Sequence, residues 1–463
     1  MKALVLNRHI HFIGIGGIGM SALARFAMNF GVQVSGSDRQ SSELTRQLEK
    51  EGARISYQHL AENIEDADLL VYSSAVPESN PERSAAQSRG IEQIRRADFL
   101  ARVCSAYDRT VAVAGTHGKT TVSSMTAFLL HRCGLDTSAL IGGIMQNFAS
   151  NMLLGPGRST IVVEADEYDR SFLTLSPSLS IITNIDLDHL DIYRDLQDIR
   201  DTFTRFASQT STDGMNIICL DDPGIQSVQN HIPRSSSYAI DSPEADLLAF
   251  NIRYSPDGSF FSIRLAGTEY NNLHIPLFGK HNVLNSLAAI AAAYSLGIGI
   301  DDMIPVLGEF KGARRRFELI DSVGTVRFID DYAHHPSEIR AALQAARHLN
   351  PDGRVIAIFQ PHLYSRTRDL AAEFASALSC ADLALVTDIY PAREQAIPGV
   401  SSQLILSSIP DNKKLYAGSL LNLASLLPEL IRDGDILMFM GAGNLSDHIR
   451  EYAARTREFM SHV

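Results

Sequence analysis

Val113-Ala114-Gly115-Thr116-His117-Gly118-Lys119-Thr120-Thr121 runs from a short β-branched, alanine-containing strand through two glycines into Lys-Thr-Thr. Strand, tight glycine turn and helix start in this order make a phosphate cradle. Backbone N–H groups of the turn and helix N-terminus surround phosphate oxygens, Lys119 reaches the β- and γ-phosphates, and the Thr120 hydroxyl can ligate Mg2+. The stretch departs from G-x-x-x-x-G-K-[ST] because Val113 stands at the first glycine position. A plain strand-to-helix turn is the alternative, and two glycines followed by Lys-Thr-Thr disfavour it. A strand feeding such a turn belongs to a parallel sheet with helices on its faces, so the fold class is α/β.

Three α/β units can be traced outward from this loop. Upstream, a strand over His9 to Ile13 leads to Gly14-Ile15-Gly16-Gly17-Ile18-Gly19 and a helix from Met20 to Phe30. Further strands are expected at Gln33 to Gly36 and Asp68 to Ser73. The second unit opens at Arg109, with a strand from Thr110 to Ala114, a helix from Thr120 to Cys133, and buried strands at Thr160 to Val163 and Leu179 to Thr183. From Met215 to Leu277 short alternating strands follow, with a turn at Pro256-Asp257-Gly258, before Gly279-Lys280-His281-Asn282 enters an alanine-rich helix. The third unit starts near Arg314, with strands at Val323 to Ile329, Val355 to Phe359, Leu383 to Thr387 and Ile436 to Met440. Polar clusters stand at the carboxyl ends of these strands, where open parallel sheets bind ligands.

The length of 463 residues calls for two to four domains. A net charge of −12 argues against a nucleic-acid partner without excluding small anions. Four isolated cysteines give neither a disulfide framework nor a metal site and fit a reducing compartment. No apolar run reaches the ~20 residues needed to span a bilayer, and no signal peptide precedes the first strand. The expected location is the cytoplasm.

Gly14-x-Gly16-x-x-Gly19, with Asp38 roughly 20 residues on, satisfies the context of a dinucleotide fingerprint. NAD, another nucleotide or a sugar phosphate all fit it, as does a ligand-free helix-packing turn. Glu164-Ala165-Asp166-Glu167-Tyr168-Asp169 and Asn184-Ile185-Asp186-Leu187-Asp188-His189-Leu190-Asp191 place carboxylates at strand ends. Glu164 can there complete a Mg2+ shell begun by Thr120, and His189 gains a metal or substrate role. Arg314-Arg315-Arg316 is either a solvated face or a phosphate clamp. Arg366 and Arg368 can bind a carboxylate by the same bidentate logic.

Taken together, Gly115 to Thr121, Glu164 and His281-Asn282-Val283-Leu284-Asn285 resemble the Mur ligase family of peptidoglycan synthesis. Three other stretches are most similar to members that join L-alanine to UDP-N-acetylmuramate: Gly14 to Met20, Asp330-Asp331-Tyr332-Ala333-His334-His335-Pro336 and Phe359-Gln360-Pro361-His362. The resemblance implies a Rossmann-like UDP-sugar domain (1–107), a central P-loop ATPase domain with a mainly parallel sheet (108–313) and a Rossmann-like C-terminal domain (314–463). It implies ATP with Mg2+, for which Mn2+ can substitute, an acyl-phosphate intermediate, and a monomer or weak homodimer.

On this basis Lys119, His189, Arg315, Arg316 and His335 are expected to be catalytic. ATP falls to Gly115, Thr116, His117, Gly118, Lys119, Thr120, Thr121, His281, Asn282, Asn285 and Asp331. The metal falls to Thr120, Glu164 and His189. The other substrates fall to Gly14, Gly16, Gly17, Gly19, Asp38, Ser74, Asp169, His334, Arg366 and Arg368. The stretch from Asp191 to Gln209 has no lysine for the carbamate that several relatives carry. Leu363 stands where a basic residue is expected, and Arg314 where glycine is common. Rival readings are an NAD-dependent oxidoreductase, a sister ligase that adds a tripeptide or acts on folate, and a non-catalytic nucleotide binder.

Overall fold

The computed structural model describes residues 8–189, 192–392 and 394–462; Leu190 and Asp191 of the acidic run quoted above lie outside this set. By internal contacts the chain forms two compact units. One runs to Phe250 and adds Ile263–Asn271 and Leu284–Lys311. The other comprises Asn251–Ser262, Asn272–Val283 and the chain from Gly312 onward.

The first unit holds a five-stranded parallel sheet of β1 (His9–Ile13), β2 (Gln33–Ser37), β3 (Arg54–Ser56), β4 (Leu69–Tyr72) and β5 (Glu92–Arg95), in the order β3-β2-β1-β4-β5. Every residue of β1 is buried, as a central strand covered on both faces requires. Strand order reverses around β1, and the glycine-rich turn leaves its carboxyl end at that switch point. Sequence reading finds neither β3 nor β5. Both are edge strands with polar, partly exposed residues and no apolar run.

The same unit carries a second parallel sheet of β6 (Arg109–Ala114), β7 (Thr137–Met145), β9 (Thr160–Glu164), β10 (Leu179–Ile182), β11 (Met215–Cys219) and β12 (Ser235–Ala239), with β8 (Ser150–Leu153) antiparallel on β7. β6 lies between β10 and β9, and its Val111 to Ala114 are fully buried. The turn that follows therefore springs from the middle of the sheet. β13 (Leu247–Ser255) pairs with β12 through Leu247 and Leu248, and β14 (Gly258–Leu265) and β15 (Thr268–Ile275) follow it.

Beyond Gly312, β16 (Glu318–Val323), β17 (Val326–Asp331), β18 (Val355–Phe359), β19 (Leu383–Thr387), β20 (Lys414–Gly418) and β21 (Ile436–Met440) form a sheet in the order β16-β17-β21-β18-β19-β20. The strand expected over Val323 to Ile329 is two strands. Gly324, at φ +58°, turns the chain so that Val323 pairs with Val326 in an antiparallel hairpin. Alternation along β18 sends Val355, Ala357 and Phe359 into one core with Ile339, Leu343 and Phe374. Ile356 and Ile358 enter another with Leu427, Ile449 and Tyr452. No helix among the described residues is long and apolar enough to cross a membrane.

Candidate functional site

The turn after β6 is stitched to the segment after β10. Thr116 N donates to Asn184 O (3.2 Å), His117 N to Asn184 Oδ1 (2.8 Å) and Thr183 Oγ to His117 O (2.6 Å). Gly115 and Gly118 sit at φ +139° and +85°. A Cβ at Gly115 would meet Thr183 Oγ at 1.9 Å, and one at Gly118 would meet Asn285 Oδ1 at 2.8 Å, so both positions need glycine. Helix Lys119–Arg132 then starts with its free N–H groups at the turn, an arrangement that favours anions.

Lys119 Nζ donates to Gly115 O (2.6 Å) and lies 2.9 and 2.7 Å from the two carboxylate oxygens of Glu167. Burial works against the ammonium, but the charges of Glu167, Asp166 and Glu164 outweigh it and raise the pKa above that of ordinary lysine. Burial likewise pushes Glu167 upward, yet the Lys119 charge and the His189 contact leave its pKa below the usual value. His189 Nε2 stands 3.5 Å from Glu167 Oε1. Its pKa is raised, since the Glu167 hydrogen bond and the Asp188 charge overcome burial.

Glu164 closes the other side. Its Oε1 accepts from Gly142 N (2.8 Å) and Ser123 Oγ (3.3 Å). A Cβ on Gly142 would come within 2.5 Å of Glu164 Oε2, and one on Gly143 within 2.7 Å of Thr120 Cγ2. The Thr120 methyl and the Glu164 carboxylate thus back onto consecutive glycines of β7, and the hydroxyl and carboxylate of this pair are hard-oxygen donors of the kind Mg2+ takes.

The backbone here is strained. Asp169, Arg170 and His189 all adopt left-handed φ, at +55°, +53° and +55°. Each costs about 1–2 kcal/mol. Arg170 is held by Asp198 (2.8 Å) and by Thr202 (3.0 Å).

At the other loop of this unit, Gly14 N and Ile15 N donate to Ser37 O at 2.8 and 3.1 Å, and Gly16 N donates to Asp38 Oδ2 at 2.8 Å. Asp38 thus braces the turn itself. Gly17 is the N-cap of helix Ile18–Asn29, a Cβ at Gly19 would meet Arg96 Nη1 at 3.1 Å, and Ser74 is exposed just after β4. The helix is fastened to β8: Arg25 Nη1 donates to Asn151 Oδ1 (2.6 Å), and Asn151 Nδ2 donates to Ile18 O (2.8 Å).

The second unit gathers its own cluster. Arg315, at φ +59°, donates from Nη2 to Gly441 O (2.6 Å), and its Nε lies 3.4 Å from Asp330. Arg315 and Arg316 both lie over the Tyr332 ring. Asp331 accepts Phe317 N and Ala333 N, each at 2.8 Å. Burial pushes Asp330 up to about 7 and Asp331 up to about 6. His281 is driven down to about 4, chiefly by burial and then by Arg316. Asn282 donates to Phe278 O (2.8 Å).

His335 caps helix Pro336–Leu349, its Nδ1 2.7 Å from Ser337 Oγ, and His334 N donates to Glu338 (3.0 Å). Arg366 and Arg368 lie on helix Tyr364–Asp369, where Arg368 is exposed and bonds its neighbour Asp369 at 2.7 Å. Leu363, at φ +73°, precedes them.

Sequence reading left Glu167, Gly142 and Gly143 out of the site. Glu167 stands in the quoted acidic run, but its partner is 48 residues away. The glycine pair inside Ile141-Gly142-Gly143-Ile144 is the only local signal for the other two.

Residues 9–108 match the Mur ligase family catalytic domain, residues 113–293 the Mur ligase middle domain and residues 315–443 the Mur ligase glutamate ligase domain. A relative from Salinibacter ruber named UDP-N-acetylmuramate–L-alanine ligase is 41% identical over 96% of this chain and 94% of its own. The crystal structure of a UDP-N-acetylmuramate-alanine ligase from Thermotoga maritima superposes with a TM-score of 0.84 at 30% identity, covering 97% of this chain and 99% of that one. A murein peptide ligase from Psychrobacter arcticus gives 0.73 at 26% identity, with 97% and 99% covered. Three consecutive domain matches and a near-full-length relative at this identity mean that the chain belongs to the Mur ligase family.

Proposed function

We propose that this chain joins L-alanine to the carboxylate of UDP-N-acetylmuramate at the expense of ATP, releasing ADP and phosphate. One observation carries the reading: a lysine fixed in a glycine turn, with carboxylates at the end of the next strand, in a chain 41% identical over 96% of its length to a UDP-N-acetylmuramate–L-alanine ligase.

A carboxylate and an amine do not condense in water until the carboxyl oxygen becomes a leaving group. Transfer of the γ-phosphoryl to the muramoyl carboxylate gives an acyl phosphate. The amine of L-alanine attacks its carbonyl, and inorganic phosphate departs. Such transfer needs positioning and charge neutralisation more than covalent help from the protein. Lys119 supplies a cation at the phosphates, and Gly115 to Thr121 supply N–H donors. Thr120 and Glu164, with His189, would hold Mg2+, which when bound neutralises charge on the phosphoryl oxygens. Gly14, Gly16, Gly17, Gly19, Asp38 and Ser74 serve the UDP end, and Asp169 the sugar side. In the second unit Arg315, Arg316, His281, Asn282 and Asp331 serve ATP, while His334, His335, Arg366 and Arg368 serve the amino acid. We assign the domains to 1–107, 108–313 and 314–463, and place the enzyme in the cytoplasm.

The test is ATP-dependent phosphate release with UDP-N-acetylmuramate and a panel of amino acids and peptides. Release that needs L-alanine is expected. Turnover with a tripeptide but not with L-alanine would reassign the chain to the murein peptide ligase activity, and NADH oxidation without ATP would overturn the ligase reading.

A further inference from the structure

Beneath the first glycine-rich turn lies a buried polar network that the reaction above does not use. Glu82 is the second residue of helix Pro81–Arg89. Its backbone is fixed by Asn80, whose Oδ1 accepts Glu82 N at 2.9 Å and Arg83 N at 3.3 Å. The Glu82 side chain is 0% exposed. An isolated carboxylate in that setting would be strongly destabilised, and this one is surrounded by donors. Asn63 Nδ2 donates to Oε1 (2.7 Å) and Ser37 Oγ to Oε2 (2.8 Å). His59 Nδ1 lies 3.0 Å from Oε2, and His11 Nε2 lies 3.4 Å from Oε1.

The network continues in a defined direction. Asp66 O can only accept, so His9 donates to it from Nδ1 (2.8 Å). Burial, the largest influence on His9, lowers its pKa and keeps it neutral. Its Nε2 therefore accepts from Ser35 Oγ (2.7 Å), and Ser35 Oγ in turn accepts from His11 Nδ1 (2.8 Å). What remains is His11 Nε2, facing Glu82 Oε1 across 3.4 Å.

Ser37 links this network to the ligand turn. Its hydroxyl is bonded to Glu82, while its carbonyl takes the N–H groups of Gly14 and Ile15, and the next residue, Asp38, takes that of Gly16. Three consecutive N–H groups of the turn thus hang from the end of β2. Those of Ile18 and Gly19 fall in the first turn of the helix, where N–H groups lack an intrahelical partner and favour an anion.

We infer that Glu82 is a positioning residue for the glycine-rich turn, acting through Ser37, so that it sets affinity for the nucleotide-sugar without touching it. The inference rests on the assignment of Gly14 to Gly19 to the UDP end of the substrate. Glu82→Gln keeps the shape but cannot accept on both ends of the side chain. Titration of the full-length protein with UDP-N-acetylmuramate, followed by calorimetry, should show binding about tenfold weaker in this variant. The KM for ATP should stay within about twofold, since Lys119 and its carboxylates are untouched.

Hydrogen exchange at Gly14, Ile15 and Gly16 should quicken, while the β6 amides keep their protection. Ser37→Ala, which removes one donor and spares the backbone carbonyl, should give a smaller loss of the same kind, about threefold. Unchanged UDP-N-acetylmuramate affinity in both variants would overturn the inference. So would an equal loss of ATP and nucleotide-sugar affinity, which marks a merely structural role. Failure of the wild-type chain to bind the nucleotide-sugar would instead remove the functional assignment on which the inference stands.

Discussion

Lys119 Nζ lies 2.7 and 2.9 Å from the two carboxylate oxygens of Glu167, a residue only 2% exposed. The lysine proposed to meet the phosphates is therefore already paired with a carboxylate, and under that proposal ATP would compete with Glu167 for it.

Lys119→Ala removes the cation and leaves Glu167 facing His189 alone. Ligation should fall by roughly 10²–10³-fold or more. Affinity for UDP-N-acetylmuramate should stay nearly unchanged, because that turn is braced by Ser37 and Asp38. Phosphate-release kinetics and calorimetry on the same preparation check both halves, and normal turnover would remove the loop from the mechanism.

Glu167→Gln keeps the shape and removes the countercharge. Breaking a buried pair costs up to about 3–5 kcal/mol. The pH dependence has a definite sign. The folded pKa of Glu167 is depressed, so its contribution is present above the ordinary glutamate value of about 4.3 and is lost as pH falls through the folded value. The stability gap between wild type and variant, measured by urea denaturation, should be widest near neutrality and close in acid.

Gly142→Ala places a methyl carbon 2.5 Å from Glu164 Oε2. The carboxylate must turn away from where it meets Gly142 N. The Mg2+ concentration for half-maximal activity should rise about tenfold, with UDP-N-acetylmuramate affinity unaltered. An unchanged Mg2+ titration would separate Glu164 from the metal.

Asp330 is an acid whose folded pKa is raised to about 7 by burial. Between its ordinary value of about 3.9 and that point the native state binds more protons than the unfolded one, so stability declines as pH rises through the window. Asp330→Asn has no such proton to lose. Thermal melts from pH 4 to 8 should show the variant gaining on wild type as pH rises, by at most about 4 kcal/mol. A constant difference would contradict the raised value.

What could be read without coordinates follows a physical division. β6 and its glycine turn were legible because a buried strand, two glycines and Lys-Thr-Thr are contiguous. The same holds for β18, β19 and β21, whose apolar runs match the observed limits. β3 and β20 escaped because edge strands need only one covered side and carry short, mixed sequences. Val323 was joined to the wrong strand because a β-branched residue before Gly-Thr-Val reads as continuous until Gly324 turns it back. Glu167 and Gly142 lie deeper still. What each does is set by a partner brought from another strand or helix, and no local pattern carries that information.

The helix that leaves the first glycine-rich turn is bolted to β8 through Arg25 and Asn151, and β8 pairs with β7, whose Gly142 holds Glu164. The two turns are thus tied together by a continuous run of hydrogen bonds and strand pairing, so that under the proposed assignment the spacing between them would act as a gauge, set at folding, for how far a nucleotide-sugar's carboxylate lies from its uridine end.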